Sequence, residues 1–575
     1  MTATAPIAQL HRHDPAAALA RSGLLGETPG FAAAQDHAQT QARPHHTAQT
    51  QAKTHFQAQP AGHPLARPIA LLLALLLVIA PLFRGGAAPL AGLVLHGLSL
   101  TILVAALWYP RQVPLRRLEI LLLLALPLTV LAYLIPLPAA WVAALPGRGL
   151  QTAAEALLPA SALGAWQPLS LNPTATLNAG LALLVPLAVF VGSRALDTQA
   201  LTRLVQLLLL IACGEALLGL VQYTSSQSGQ MLFALEGGHR DTAIGTFLNR
   251  NHLAGLLVMA LSLALALLFS SLGRDAGQRA PGTWRRRAAF LGSRQGTAAL
   301  AYGGAALLLL LGVIFSRSRA GIATAMLGLI LSTLLYARRI GGRNAFGFTG
   351  TFVALVLGLG LAIGLAPVLD RFSLDPAEDG RVAIFGASLT AIGQRLPLGS
   401  GPGTYPDAIR PFQEPAIFGT RYINHAHNDY LEWVADAGLI APVLIVLALV
   451  LYLRHWPRVH SREEWSRTRF LQAGAGIGLL LLALHEVVDY NLVTPANQAV
   501  FALLAALFLR PPEHPETATS ARRLRRRRTP DLVASPTTAA ANPAPHANAN
   551  PDPANPVGKT PPTQAEQIVN PFTDP

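Results

Sequence analysis

Long apolar segments separated by short polar ones dominate the chain between residues 69 and 510. Each segment approaches the roughly 20 apolar residues that an α-helix needs to cross a bilayer. The pattern predicts an all-α, polytopic membrane protein with about twelve transmembrane helices. The expected limits of these spans are 69–83, 87–109, 118–136, 174–193, 204–223, 252–272, 297–315, 319–337, 348–368, 434–453, 470–488 and 496–510.

Composition supports a membrane protein and excludes several soluble classes. Of the 575 residues, 52% are hydrophobic and 13% are charged, whereas a soluble chain carries about 25% charged residues. Cys213 is the only cysteine, which excludes a disulfide scaffold and a cysteine-ligated zinc site. A net charge of +14 would suggest a nucleic-acid partner in a soluble protein, but basic cytoplasmic loops explain it better, so we expect no nucleic acid.

Every second connection between the spans is rich in arginine, and this alternation predicts the orientation. The positive-inside rule places these basic connections, and both termini, in the cytoplasm. The opposite, outer face then contains the segments 137–173, 224–251, 316–318, 369–433 and 489–495. The segment 369–433 is much longer than a simple connection requires, which is typical of a functional loop.

Two terminal segments lack the periodicity of a folded element. Residues 1–66 are rich in Ala, Gln and His, and residues 511–575 begin with an arginine cluster and continue in Pro, Ala and Asn. Such sequences bury too little apolar surface to fold. We therefore predict two disordered cytoplasmic tails, whereas residues 67–203 are expected to form N-terminal transmembrane helices.

The first candidate motif is GTFLNRNHLAG, residues 245–255, at the outer start of a span. Asn249, Arg250 and Asn251 place several donors where water meets hydrocarbon. The guanidinium of Arg250 has the fork geometry that suits phosphate oxygens. An interfacial anchor that caps the following helix is an equally good interpretation.

The second motif is FSRSRAGI, residues 315–322, where two long spans meet almost without a loop. Arg317 and Arg319 therefore lie at or just inside the membrane boundary, where charge is costly and is commonly functional. Neutralisation by an anionic ligand is the favoured interpretation. A carboxylate distant in sequence, such as Asp489, is the alternative.

The third motif is INHAHNDYLEWVADAGLI, residues 423–440. Apolar residues recur at helical spacing, so we expect His427 on the first turn of an amphipathic helix that enters the membrane. The positive end of a helix disfavours a charged imidazole, which keeps His427 able to accept a proton. Asn428, Asp429 and Glu432 are close enough in sequence to orient the ring or to hold a sugar hydroxyl.

Five segments in this order resemble the O-antigen ligase and polymerase superfamily of bacterial membrane glycan transferases. The resemblance covers roughly residues 204–510 and includes the predicted periplasmic loop 369–433. The segments are GTFLNRNHLAG (245–255), SRSRAG (316–321), DGRVAIFGASLTAIGQRLPLGSGPGTY (379–405), HAHNDYLEWVADAGL (425–439) and HEVVDYNLVTPAN (485–497).

The resemblance implies a helical fold of the C-type glycosyltransferase kind in the bacterial inner membrane. Its periplasmic face would bind a glycan linked to a polyprenyl diphosphate and transfer the glycan to an acceptor hydroxyl. No nucleotide, catalytic metal or other cofactor is implied.

Individual residues match family positions. Arg250 and Arg319 match arginines that hold the diphosphate, and His427 matches the general base. Arg381 resembles a recurrent loop arginine that contacts phosphate, and Arg317 is a further neighbour of the diphosphate site. The supporting residues are His425, Asn428, Asp429, Asn249 and Asn251.

The acceptor stays open at the sequence level. Lipid A core would make the chain a lipopolysaccharide ligase, a growing chain would make it an exopolysaccharide or O-antigen polymerase, and a protein hydroxyl would make it an oligosaccharyltransferase. A transporter of polar solutes is the alternative outside the enzymes. It would need broken helices with polar groups at mid-membrane, whereas the spans are nearly all Leu, Ala, Val and Gly inside.

Overall fold

The computed structural model describes residues 66–109, 113–159, 164–227, 242–273, 291–340, 350, 354, 358, 380–413, 423–460 and 465–511. The predicted tails and the predicted span 348–368 lie almost wholly outside these residues. All the described residues belong to one compact unit, Gly62–Pro575.

Helices make up nearly all of the regular structure in the described part of the chain. We number them α1 to α17 in chain order: Ala66–Ile79, Pro89–Trp108, Arg117–Leu134, Ala139–Ala143, Gly149–Glu155, Pro173–Ala182, Leu184–Arg194, Thr198–Gln227, Arg250–Gly273, Arg294–Phe315, Arg319–Ile340, Arg381–Arg395, Tyr405–Ile409, Asp429–Ala437, Ile440–Val459, Arg467–His485 and Pro495–Phe508. A short left-handed turn occupies Leu82–Gly85, and two 3₁₀ turns occupy Arg410–Phe412 and Asn491–Val493. Strands β1 (Pro136–Pro138) and β2 (Trp166–Pro168) pair antiparallel, with Pro136 opposite Pro168.

The described helices confirm the predicted all-α membrane fold. Within the described residues, nine helical segments are long and apolar enough to cross a bilayer, and α1 and α17 are shorter apolar helices. Apart from the span at 434–453, each predicted span that lies in the described ranges overlaps one of these segments. The span predicted at 174–193 consists of two helices, α6 and α7, which meet at Leu183.

Helix α9 forms the centre of the bundle. Its whole apolar window is buried inside the protein, and it packs against α8, α10, α11, α16 and α17. Small residues allow the closest of these contacts, because a Cβ added at Gly474 of α16 would lie 2.6 Å from the Cβ of Ala266. Glycine and alanine at such positions let two membrane helices approach along their backbones.

The structure corrects the span predicted at 434–453. The helix that carries the third motif ends at Ala437, and a new helix, α15, starts at Ile440. Gly438 between them has φ 54° and ψ −135°, and a Cβ there would overlap the carbonyl oxygen of Pro397. The continuous apolar periodicity therefore hides a break that only glycine allows.

The predicted loop 369–433 contains helical structure in its described parts, 380–413 and 423–433. Helices α12, α13 and α14 enclose a small apolar cluster that includes Ile384, Tyr405 and Ile423. The glycine-rich segment between α12 and α13 turns sharply at Gly399, Gly401 and Gly403, which all have positive φ. This small layer covers one end of the bundle.

Candidate active site

The first motif ends in a capped helix start. The side chain of Asn249 accepts a hydrogen bond from the backbone N–H of Asn251 at 2.9 Å, and its carbonyl accepts one from His252. Helix α9 begins at Arg250. Asn249 therefore caps the start of α9, and the adjacent Arg250 supplies the guanidinium donors of the predicted binding role.

The second motif forms a tight turn between α10 and α11. Arg317 has φ 56°, and the Ser318 side chain accepts a hydrogen bond from the backbone N–H of Gly321 at 3.2 Å. Helix α11 starts at Arg319. A non-glycine residue in the left-handed region is uncommon. The turn leaves Arg317 and Arg319 on either side of Ser318, with Arg319 already in the helix.

A small cleft collects arginines from three separate parts of the chain. Arg250 comes from α9, Arg317 and Arg319 come from the second motif, and Arg381 is the first residue of α12. Asn251, Ser318, Ala320 and Asp489 complete the lining. Four guanidinium groups around one small cleft suit an anion with several oxygens.

Asp489 is the one carboxylate among the described residues that line this cleft. Its Oδ2 lies 3.9 Å from Nη2 of Arg381. Burial raises the pKa of Asp489 to about 6, opposed by the nearby positive charges of Arg381 and Arg250. Asp489, the carboxylate considered from the sequence, therefore lies in the same cleft as the four arginines.

The third motif begins its helix two residues later than expected. Asn428 is the N-cap, and its side chain accepts a hydrogen bond from the N–H of Leu431 at 3.0 Å. His427 precedes this cap and has φ 51°. The prediction that His427 lies on the first helical turn is therefore wrong. The Asn–Asp pair takes the helix start, because Asn is a strong N-cap residue.

The third motif is joined directly to the connection between α16 and α17. The backbone N–H of Asp429 donates to the carbonyl oxygens of Glu486 and Asp489, both at 3.1 Å. Since Asp489 also lines the arginine cleft, these bonds bring the histidine segment and the arginines to the same end of the bundle.

Tyr490 lies at the centre of three imidazole rings. The ring of His425 stacks on it with centroids 4.4 Å apart, while His427 and His252 meet it edge-on at 4.8 and 4.9 Å. The side chain of Asn249 donates to the Tyr490 hydroxyl at 3.3 Å. Burial raises the pKa of Tyr490 to about 12, so its hydroxyl stays protonated.

His425 and His427 have different surroundings. Nδ1 of His425 lies 2.9 Å from Oε1 of Glu432. Burial lowers the pKa of His425, but the negative charges of Glu432, Asp429 and Asp489 outweigh burial and raise it above the usual value. His425 therefore favours the charged form of imidazole.

Two buried carboxyl groups lie behind the histidines. Asp429 and Glu486 are 4% and 2% exposed. Burial raises the pKa of both groups, and the neighbouring Asp429 raises the pKa of Glu486 further.

The structure gathers all of the residues singled out from the sequence at one end of the bundle. Sequence reasoning undervalued the segment from His485 to Tyr490, which it used for the family resemblance and for Asp489 as a distant carboxylate. The available signal was an acid-rich connection between two apolar spans. No group of three or more His, Cys, Asp or Glu side chains in the described ranges is arranged to hold a metal ion.

The fold and this cleft define a multi-pass helical membrane protein with a cationic, histidine-containing site at one membrane face. Residues 304–446 match the family model described as O-Antigen ligase. This match confirms the resemblance to the O-antigen ligase and polymerase superfamily and covers Arg317, Arg319, Arg381 and both histidines. A comparison with curated proteins finds no match.

Proposed function

We propose that this protein transfers a glycan from a polyprenyl-diphosphate carrier to an acceptor hydroxyl at the periplasmic face of the bacterial inner membrane. The O-antigen ligase match supports the reaction class. Asp489 lines the arginine cleft, and the next residue, Tyr490, contacts the histidines. This link between the arginines and the histidines is the observation that carries the proposal.

In the proposed reaction the acceptor oxygen attacks the anomeric carbon of the glycan. The bond between that carbon and the diphosphate oxygen breaks, and the diphosphate leaves with the bonding electrons. Arg250, Arg319, Arg317 and Arg381 stabilise the negative charge that develops on the leaving group. Fixed cations in a poorly hydrated cleft are effective at this task because they need no reorganisation during the reaction.

We propose that His427 removes the proton from the acceptor hydroxyl. The neighbouring His425 is engaged by Glu432 through its Nδ1, and the negative charges around it raise its pKa. His425 is better suited to support the negative charge of the substrate. Asn428 caps the start of α14. Asn249 donates a hydrogen bond to the Tyr490 hydroxyl, and Asn251 lines the cleft.

Replacement of His427 by alanine tests the catalytic assignment. We expect the His427→Ala variant to insert normally but to lower transfer by about 10²- to 10⁴-fold, the range of a general base. His460→Ala, at an exposed histidine at the end of α15, is the matched control and should transfer normally. The measurement is the surface glycan profile of a deletion strain that carries each variant. An unchanged profile with His427→Ala would remove the assignment.

The acceptor is decided by a second measurement in the deletion strain. Loss of every repeat unit from lipopolysaccharide supports a ligase that acts on lipid A core, whereas lipopolysaccharide with a single repeat unit, or loss of a free polysaccharide, supports a polymerase. Loss from glycoproteins supports the alternative of a protein oligosaccharyltransferase. Unchanged glycans together with impaired uptake or export of a polar solute would favour a transporter.

A further inference from the structure

A short segment between two membrane helices exposes only apolar residues. This hairpin segment comprises the described residues 136–159 and 164–168, with strands β1 and β2 and helices α4 and α5. Its exposed residues are all Ala, Gly, Pro, Leu or Trp. Exposed apolar surface that is concentrated in one segment marks an interaction surface. The large side chains on it are between 52% and 87% exposed: Trp141, Leu150, Leu157, Leu158 and Trp166.

The polar side chains of the hairpin segment have partners within it. Arg148, which is 4% exposed, donates to Oε1 of Gln151 at 2.7 Å. Glu155 accepts hydrogen bonds from Nε2 of Gln151 at 3.0 Å and from Nε2 of Gln167 at 3.2 Å, and the hydroxyl of Thr152 donates to a backbone carbonyl at 2.9 Å. A site for a sugar needs polar groups that fix its orientation, so this surface suits an apolar environment better.

Both ends of the hairpin segment lie where membrane helices end. Only Ile135 separates α3 from β1, and residues 169–172 separate β2 from α6. The backbone N–H of Ser170 donates to the carbonyl of Tyr133, in the last turn of α3, at 3.0 Å. The returning chain therefore comes back to the end of the same span. Leucines at helical spacing are exposed along α3, and in a membrane-spanning helix they face lipid: Leu121, Leu124, Leu128 and Leu131.

The hairpin segment also contacts the layer that covers the candidate site. A Cβ added at Gly147 would lie 2.6 Å from Cγ of Arg395, the last residue of α12. Just after the segment, the backbone N–H of Leu171 donates to the carbonyl of Ser400 at 2.8 Å. Helix α12 begins with Arg381, which lines the arginine cleft. The segment is therefore at the same end of the bundle as the cleft and packs against the element that carries one of its arginines.

We propose that the hairpin segment lies in the headgroup region of the bilayer leaflet next to the candidate site, with its large apolar side chains directed toward the acyl chains. The exposed surface continues into the lipid-facing side of α3 and lacks the polar rim of a protein-docking patch. Tryptophan, which the segment exposes twice, is enriched at membrane interfaces. Small residues such as Ala144 stay at the hydrated headgroup level. The segment then fixes the level at which α12 presents Arg381.

Fluorescence quenching measures the depth of the hairpin segment. In a Cys213→Ala background, a dye on Leu157→Cys reports on the segment, and a dye on Asp407→Cys, at an exposed acidic residue of α13, is the matched control. The full-length protein is reconstituted at low density in phospholipid vesicles brominated about 5–10 Å below the headgroups, the depth of interfacial helices. We expect these lipids to quench the Leu157 dye about twofold more than the Asp407 dye, and aqueous iodide to show the reverse order.

Leu150→Cys repeats the measurement on α5 and decides the outcome if Leu157→Cys fails to fold. Quenching of the segment dyes by iodide and not by brominated lipid would overturn the proposal, because the surface would then face water and be open to a soluble glycan or protein. Protection from both quenchers would overturn it as well, since it would place a second copy of the chain on this surface.

Discussion

At the scale of single residues, Tyr490 connects the two halves of the candidate site. Its backbone N–H donates to the Asp489 side chain at 3.0 Å, while its ring contacts three imidazoles. Aromatic ring contacts of this kind contribute about 0.5–1.5 kcal/mol each beyond simple burial. Tyr490 is therefore well placed to fix the orientation of His427 without contacting the reacting atoms itself.

Two substitutions separate the ring of Tyr490 from its hydroxyl. Tyr490→Phe keeps the ring contacts and loses only the hydrogen bond between its hydroxyl and Asn249, so it should retain transfer within about threefold of wild type. Tyr490→Leu removes the contacts and should lower kcat by about tenfold or more with little change in KM. Trp433→Leu, at an aromatic residue that packs on Tyr430, is the control. Equal activity of the Phe and Leu variants would rule out orientation by the ring.

At the scale of elements, sharp changes of direction create the site. Arg317 and His427 both have positive φ and lie immediately before a capped helix start. Gly438 breaks the apolar periodicity between α14 and α15, and the Asp436 side chain accepts a hydrogen bond from the N–H of Gly403 at 2.6 Å. These turns hold the covering layer of α12 to α14 against the membrane helices.

Alanine substitutions at two glycines test this role of the turns. We expect Gly438→Ala to cost about 1–3 kcal/mol, because φ is positive and the added Cβ would overlap the backbone of Pro397. Gly393→Ala is the matched control on α12, where a Cβ would meet nothing within 4 Å, so it should be neutral or stabilising by up to about 1 kcal/mol. Thermal unfolding in detergent measures both. Similar unfolding temperatures would contradict the role given to Gly438.

At the scale of the whole molecule, the two ends of the bundle differ in chemistry. Helix α16 ends and α17 begins at the candidate site, while the far end of α17 carries Arg510, which donates to the carbonyl of Leu196 at 2.7 Å. A buried ion pair between Glu119 and Arg194 joins α3 to α7 at that far end. Basic side chains at the far end are what the predicted cytoplasmic side requires, and the outward orientation of the site stays a prediction.

Cysteine labelling tests the orientation directly. In a Cys213→Ala background, Ala144→Cys lies in the predicted outer segment, and Gln199→Cys lies near the predicted inner end of α8; both positions are exposed. A membrane-impermeant maleimide should label Ala144→Cys in intact spheroplasts and Gln199→Cys only after the membrane is opened. The reverse pattern would place the site in the cytoplasm and exclude periplasmic transfer.

Much of the architecture followed from hydropathy because the requirement to satisfy every backbone group in a bilayer leaves few structures besides helices. Hydropathy also explains what sequence reasoning missed, because it records only whether a residue is apolar. Apolar residues continue across Gly438, so periodicity could not show that α14 ends there. The role of Glu486 beside Asp429 was equally hidden, because an acid in a short connection gives no sign of which distant carboxyl it meets.

The sequence by itself determined the class of fold, the approximate positions of most spans in the described residues, and the residue types able to bind an anion or accept a proton, since these depend on local composition and on the cost of charge near hydrocarbon. Only the tertiary structure decided that Arg250, Arg319 and Arg381 share a cleft, that His427 precedes its helix, and that Tyr490 joins the imidazoles. These relations depend on the packing of helices far apart in the chain, which no local pattern specifies.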